Sequence, residues 1–395
     1  MRRTDVAIAG GGLAGSIAAA MLGRAGYDAV MIDPRPVYRP DFRCEKIDGP
    51  QMRVLEKTGL ADSVRRASTP DRMSWVACLG RVVEKRPGDQ WGILYDTLVN
   101  TIRSEIPPSV TVIYAMVTEI DNSAGRQIVS LSNGERVSAR LVIVANGLNL
   151  GLRQKLGMER HVLSANHSIS IGFDVEPAGR PSFEFPAVTC YSERPSEKIA
   201  YLTLFPIGST MRANLFVYRD LHDPWLKLLR DAPVETMCAA MPRLRSIIGE
   251  FKVTGSVKIR PVDLCVTRGY EQPGVVLVGD AFSTSCPAAG TGTLKVFTDV
   301  ERLCNVYIPR WLATPGMAEE KIGAFYTDPV KTACDAHSLA KAYDLRSFTI
   351  STSLPVAARR WIKFAGQLGR GTLRQVRAQI APTRWRQVND NTIGA

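Results

Sequence analysis

The chain has 395 residues, more than one ordinary domain requires, so two or three packed units are expected. Hydrophobic residues make up 45% and charged residues 22%, which excludes a disordered or collagen-like chain, and no apolar run approaches the roughly 20 residues of a membrane span. Fifty Lys+Arg against 38 Asp+Glu give a net charge of +12, which alone does not choose between nucleic acid, anionic lipid and an acidic small molecule. The 8 cysteines have neither CxxC nor zinc spacing and read as thiols of a reducing cytosol; a cytoplasmic protein without a metal is expected. Gly10, Gly11, Gly12 and Gly15 interrupt the apolar run that a signal peptide would need, so no targeting segment is expected.

From the amino end, Asp5 to Ala9 is a short apolar strand and Gly10-Gly11-Gly12-Leu13-Ala14-Gly15 follows at once. A helical pattern runs from Ser16 to Gly23, Gly26 breaks it, and Ala29-Val30-Met31-Ile32 forms a second strand ending at Asp33. A GxGxxG between strand and helix, with an acid about 20 residues on, is a dinucleotide fingerprint. Gly10 allows the tight turn, Gly12 lets the backbone approach a pyrophosphate, and Gly15 lets helix and strand pack closely. The helix amino end offers free N–H groups to phosphate, and Asp33 offers acceptors to an unphosphorylated ribose, which fits NAD or FAD better than NADP.

Further on, Arg140 to Ala145 is a strand leading to Asn146-Gly147, followed by Arg153 and Leu156-Gly157. A second buried strand, from Gly274 to Val278, ends in Gly279-Asp280, and Cys286-Pro287-Ala288-Ala289-Gly290-Thr291-Gly292-Thr293-Leu294 opens another helix. Together these stretches resemble the FAD-dependent monooxygenases of the para-hydroxybenzoate hydroxylase type, whose superfamily also holds flavin halogenases and geranylgeranyl reductases. The resemblance covers residues 1–60, 140–157 and 274–303. It implies a Rossmann-like FAD-binding domain, an antiparallel-sheet substrate domain and, here, a helical C-terminal region, in the α/β class. It also implies that Asp280 binds the ribityl chain and that the amides of Thr293 and Leu294 face the flavin pyrimidine carbonyl. Independently of the family, a helix amino end aimed at that carbonyl stabilises the anionic reduced flavin.

The cofactor set expected from these stretches is Gly10, Gly12, Ala14, Gly15, Asp33, Pro34, Arg35, Arg43, Val117, Gly279, Asp280, Pro287, Gly290, Gly292, Thr293 and Leu294. Arg43 follows the Pro-rich loop after Asp33, where relatives carry an Arg near the pyrophosphate. Relatives usually have Asp where this chain has Asn146, and that Asp is associated with holding FAD and the pyridine nucleotide. The departure leaves NADH, NADPH or a partner reductase open as electron source. A second departure is Phe282, where many relatives have His.

Alternating runs at 168–175, 187–192, 199–204, 213–218 and 252–258 read as an antiparallel sheet, with a helix expected from Asp231 to Ile248. The expected division is an FAD-binding domain of 1–160 and 262–310, a substrate domain of 161–261, and a helical basic region of 311–395, with part of 65–100 open to assignment to the substrate domain. Tyr191, Tyr201 and Arg212 are the candidate substrate residues, and His167 and Arg260 lie on the same strands. Cys286 reads as a small packed residue. No nucleophile–base spacing is present, so no side chain is assigned as catalytic and the chemistry falls to the flavin.

In the tail, Arg359, Lys363, Arg370, Arg374 and Arg377 fall on one helical face, with Trp361, Phe364, Ala365, Leu368 and Val376 opposite. Gly366, Gly369 and Gly371 weaken that helix. Such a helix packs on its own domain or makes a peripheral contact with an anionic membrane. No aromatics are interleaved for base stacking, so nucleic acid is not an expected partner.

The expected function is FAD-dependent hydroxylation or epoxidation of an electron-rich aromatic or alkene small molecule, with O₂, through a flavin C4a-hydroperoxide. The alternative is a reductase of the geranylgeranyl-reductase kind acting on a lipophilic substrate. A halogenase is disfavoured, because Trp91-Gly92-Ile93 is a poor substitute for a WxWxIP segment.

Overall fold

The computed structural model describes residues 1–380, with side chains through 373. The side chains of Arg374, Val376 and Arg377, and the part of the expected C-terminal region in 381–395, lie outside the described residues. Arg2–Ala9 sits between Ala29–Ile32 and Arg136–Val144, with Thr111–Ile113 outside one neighbour and Val275–Leu277 outside the other, all parallel. Strands buried on both faces read as unbroken apolar runs, as AVMI and VVL do here. Gln127–Leu131 and Val117–Asp121 continue this sheet as an antiparallel meander. The helices Leu13–Arg24, Tyr95–Arg103 and Gly292–Arg302 bury Ile17, Leu22, Leu98, Ile102, Phe297 and Val300 in the core on one face. Strand, glycine turn, helix and parallel strand make this layer Rossmann-like.

A second sheet runs in the order Phe251–Arg268, Glu159–Pro177, Thr210–Val217, Ile199–Ile207, Ala187–Tyr191, Met73–Cys78, Arg81–Pro87. The runs expected at 168–175 and 252–258 are parts of far longer strands, whose pairing shifts register near Ser164 and Gly172. Thr267 N donates to Phe282 O at 2.8 Å, so the long pair begins at the turn that leaves the first sheet. One face of the second sheet buries Ile169, Ile171, Leu202, Leu204 and Leu215 against three short helices. The helix expected over Asp231 to Ile248 is instead Pro224–Asp231, Pro233–Ala240 and Leu244–Ile248. Pro233 opens a new helix, where its missing N–H costs nothing, and Pro242 cannot continue one. The other face looks toward the first sheet.

The chain closes with Pro329–Ile350, packed along Gly292–Arg302, and Leu354–Ile380. The glycines expected to weaken the last helix do not interrupt it. A Cβ on Gly371 would stand 1.9 Å from Val83 O, so that glycine lets the helix lie against the strand Arg81–Pro87. Among the described residues no helix is long and apolar enough to cross a membrane.

Candidate functional site

The first glycine turn is built by sterics that only glycine meets. Gly10 has φ +111°, and a Cβ there would fall 2.7 Å from Ala145 O. A Cβ on Gly15 would fall 1.8 Å from Gly10 O. Gly12 differs: a Cβ there would meet nothing within 4 Å, so its face opens outward. Gly12 is also the cap of Leu13–Arg24 and makes no side-chain cap hydrogen bond, which leaves the first amides of that helix without a side-chain acceptor. Asp33 is buried; its Oδ2 accepts from Gly11 N at 2.9 Å and its Oδ1 from Arg35 N at 3.0 Å. Arg103 completes the turn, pairing with Asp33 at 3.2 Å and donating to Gly11 O and Arg35 O. Pro34 and Arg35 lie exposed at the rim. Asp33 N donates to Ile113 O at 3.1 Å, so the segment that leads to Val117 leaves from beside Asp33.

The second turn meets the first. A Cβ on Gly279, where φ is +61°, would stand 3.7 Å from Ala14 Cβ. Gly279 N donates to Asp299 Oδ2 at 2.9 Å, and Lys331 Nζ holds the other Asp299 oxygen at 2.8 Å with both side chains almost fully buried. Asp280 pairs with Arg43 at 3.0 Å, and Arg43 also pairs with Asp41 at 2.6 Å. Pro287–Ala289 and Gly290 (φ +65°) then lead into Gly292–Arg302, whose cap Thr291 also makes no side-chain cap hydrogen bond. Two helix amino ends without side-chain caps thus open from neighbouring turns. Thr293, in the first turn of the second helix, lies 3.9 Å from Cys44 Sγ through its Oγ1. Burial pushes the Cys44 thiol up to about 11. Phe282 is half-buried and packs against the core, beside Tyr270, Tyr326 and Lys331.

Asn146 lies beside Gly10, where its Nδ2 donates to Asn149 O at 3.1 Å and its Oδ1 is buried without a donor. Arg153, also buried, donates to Gly147 O at 3.0 Å, Ala281 O at 2.5 Å and Thr267 Oγ1 at 2.8 Å. It therefore ties the Asn146 turn to the Asp280 turn through neutral acceptors.

Over these turns the second sheet forms a ceiling. Tyr201 donates its hydroxyl to Ala288 O at 2.7 Å, and Cys286, fully buried, has its Sγ 3.4 Å from Ser168 Oγ. Arg212 is spoken for inside the protein. It makes two 2.8 Å bonds to Glu45, a third bond to Asp174 at 3.1 Å, and its side chain is 5% exposed. Tyr191 lies tilted against Tyr201, ring centroids 5.9 Å apart, with Lys363 over its ring at 4.9 Å. His167 is buried between Ser164 and Ala342 O, and burial lowers its pKa. Arg260 bonds Asp41 and Phe42 O. Lys46 donates to Gln90 Oε1 at 3.1 Å and Thr203 Oγ1 at 3.2 Å, and burial pulls its ammonium down to about 8.

Arg103, Glu45, Lys46 and Lys331 escaped the sequence reading. Each acts through a partner distant in the chain, with Lys331 also pairing with Asp335 one turn on, and only Arg103, a basic residue in the last turn of Tyr95–Arg103, carries a helix-end signal.

The family described as FAD binding domain matches residues 3–102 and 110–306. The chain is 26% identical over 336 residues to the 3-demethoxyubiquinol 3-hydroxylase of Escherichia coli (strain K12), covering 77% of this chain and 80% of that protein. It is 24% identical over 314 residues to the digeranylgeranylglycerophospholipid reductase of Thermoplasma volcanium, covering 74% of each. Among solved structures, the p-nitrophenol 4-monooxygenase of Pseudomonas putida DLL-E4 superposes with TM-score 0.73 at 16% identity, over 96% of this chain and 97% of that one, a likeness of fold.

Proposed function

The chain belongs to the FAD-binding-domain family and is an FAD-dependent oxidoreductase of the hydroxylase type, and from that premise we propose that it inserts oxygen into an electron-rich aromatic or alkene small molecule. The residues fit the cofactor. Gly12 leaves the cradle a pyrophosphate needs, two helix amino ends await anionic or carbonyl groups, and the orphaned Asn146 Oδ1 awaits a hydroxyl.

In this reading Gly10, Gly12, Ala14 and Gly15 hold the diphosphate, with Arg43 beside it, and Asp33 accepts from the adenosine ribose through the acceptor position left after Gly11, Arg35 and Arg103. Pro34, Arg35 and Val117 border the adenosine. Gly279 and Asp280 take the ribityl chain, and Pro287, Gly290, Gly292, Thr293 and Leu294 frame the ring. When bound, the flavin supplies the electrons and the oxygen activation. The protein's own residues position it and keep water out.

The observation that carries the oxygenase reading is the close contact between the second sheet and the turn Pro287–Ala289. Tyr201 is pinned to Ala288 O, and Cys286, Ala288 and Ala289 are all buried. A dry wall beside the ring is what a reactive oxygen species needs to reach substrate before water does. Tyr191 and Tyr201 border that space, whereas Arg212, neutralised by Glu45, serves the ceiling rather than a substrate.

Electrons come from NADH, NADPH or a partner reductase. The test is anaerobic mixing of the purified protein with each nicotinamide, followed by O₂ and candidate phenols or alkenes. Oxygen uptake matched by hydroxylated or epoxidised product is expected. Reduction of a prenyl chain without oxygen uptake would move the assignment to the reductase alternative, which the exposed apolar side of Leu354–Ile380 favours.

A further inference from the structure

The last helix carries its apolar residues on two sides. Phe364, Gln367 and Gly371 turn inward against the second sheet. Leu354, Trp361, Ile362, Leu368 and Leu373 turn outward, exposed by 84%, 62%, 73%, 45% and 63%. At about 100° per residue these five fall within an arc of about 140°. One soluble helix presenting five large apolar side chains to water is a contiguous patch rather than scattered exposure. Lys363 and Arg370 border it along one edge, together with Arg359, whose charge is shared with Asp344. Beneath the helix, between it and the second sheet, lies a cavity of about 250 Å³ lined in part by Tyr191, Ile199, Phe348 and Phe364.

Charge decides what covers this face. Residues 351–395 contain eight basic residues against Asp390 alone, most of the chain's net +12. A second copy would bring an equal positive charge to the interface, whereas an anionic bilayer accepts both the apolar side chains and the bordering cations. We propose that Leu354–Ile380 is a membrane-surface helix that lies on anionic lipid through its Leu354, Trp361, Ile362, Leu368 and Leu373 side. The cavity beneath it then receives lipid-soluble substrates. Only this last clause rests on the oxygenase reading; the docking itself does not.

The test uses the FAD-loaded full chain with phosphatidylglycerol–phosphatidylcholine vesicles and with phosphatidylcholine vesicles. Co-sedimentation is expected with the first and several times less with the second, weakening in about 1 M salt, where screening reaches ~3 Å. The double variant Trp361→Asp/Ile362→Asp should lower partitioning about tenfold or more while flavin content and melting stay unchanged, because both side chains are exposed. Three results would overturn the proposal. One is equal binding by the double variant. Another is a lipid-free dimer that the double variant converts to monomer, which would assign the face to a second copy. The third is vesicle binding that appears only after residues 381–395 are removed, which would assign the face to the chain's own end. Binding is read without turnover, so failure here is distinct from failure of the oxygenase reading.

Discussion

Replacing Glu45 by alanine removes the carboxylate that joins the loop after Asp33 to the ceiling sheet. Glu45 accepts two 2.8 Å bonds from Arg212 and one 2.7 Å bond from Asn214, and the Glu45 and Arg212 side chains are 2% and 5% exposed. After the change the guanidinium keeps only Asp174, at 3.1 Å, and Asp174 is 38% exposed and so partly screened by water. Breaking a buried pair from one side costs about 3–5 kcal/mol, because the survivor is a buried charge without a counterion. The residual Asp174 contact places Glu45→Ala near the lower end, about 3 kcal/mol. Removing both charges in Glu45→Ala/Arg212→Met should cost less than the sum of the single changes by about 2 kcal/mol, since no orphaned charge then remains. Urea midpoints of the four proteins at neutral pH give the cycle, and flavin content gives a second readout, because Arg43 lies two residues before Glu45. A Glu45→Ala loss under about 1 kcal/mol, the size of an exposed pair, would refute the reasoning, as would additive single changes.

Gly12→Ala should leave melting of the flavin-free protein within about 0.5 kcal/mol, since its Cβ meets nothing, yet weaken FAD retention roughly tenfold or more by blocking the diphosphate; unchanged retention would remove Gly12 from the cofactor site. Gly15→Ala, whose Cβ would collide with Gly10 O, should instead lose about 1–3 kcal/mol of stability in the same melting assay. Burial brings the Lys46 ammonium down to about 8 in the folded protein, against about 10.4 in the unfolded chain, so the unfolded state holds the extra proton between those values. Stability from this group therefore rises as pH rises from about 8 to about 10, and urea midpoints of Lys46→Met should lack that rise. Asn146→Asp should speed anaerobic reduction by NADH or NADPH severalfold if the missing carboxylate limits direct electron supply, and equal rates would direct attention to a partner reductase.

What could be read in advance divides by the distance over which each feature is decided. Gly10 and Gly15 are required by clashes with backbone a few residues away or in the adjacent strand, and the Gly-x-Gly-x-x-Gly spacing expresses that directly. The ceiling strands show as period-2 alternation because one face meets helices and the other meets the cleft. Arg212 shows the limit of such reading. A lone Arg on an inward strand face looks like a substrate ligand until its counterion is known, and Glu45 lies 167 residues away with nothing local to announce the pairing. The same holds for Lys331, whose bond to Asp299 braces the turn at Gly279 from the helix behind it.

The last helix fails to be legible for a different reason. Helical spacing of apolar residues reports that a side is apolar, not what it meets, so Phe364 and Trp361 look alike in sequence although one packs inward and the other stands in water. Gly371 is read by propensity as a weakness, yet it is the residue that allows the helix to approach Val83 closely enough for Phe364 to be covered. Inward packing therefore consumes only the side of the helix around Gly371. The apolar side left over is then not a failure of packing but a surface the fold leaves for something else, beside the chain's most basic stretch.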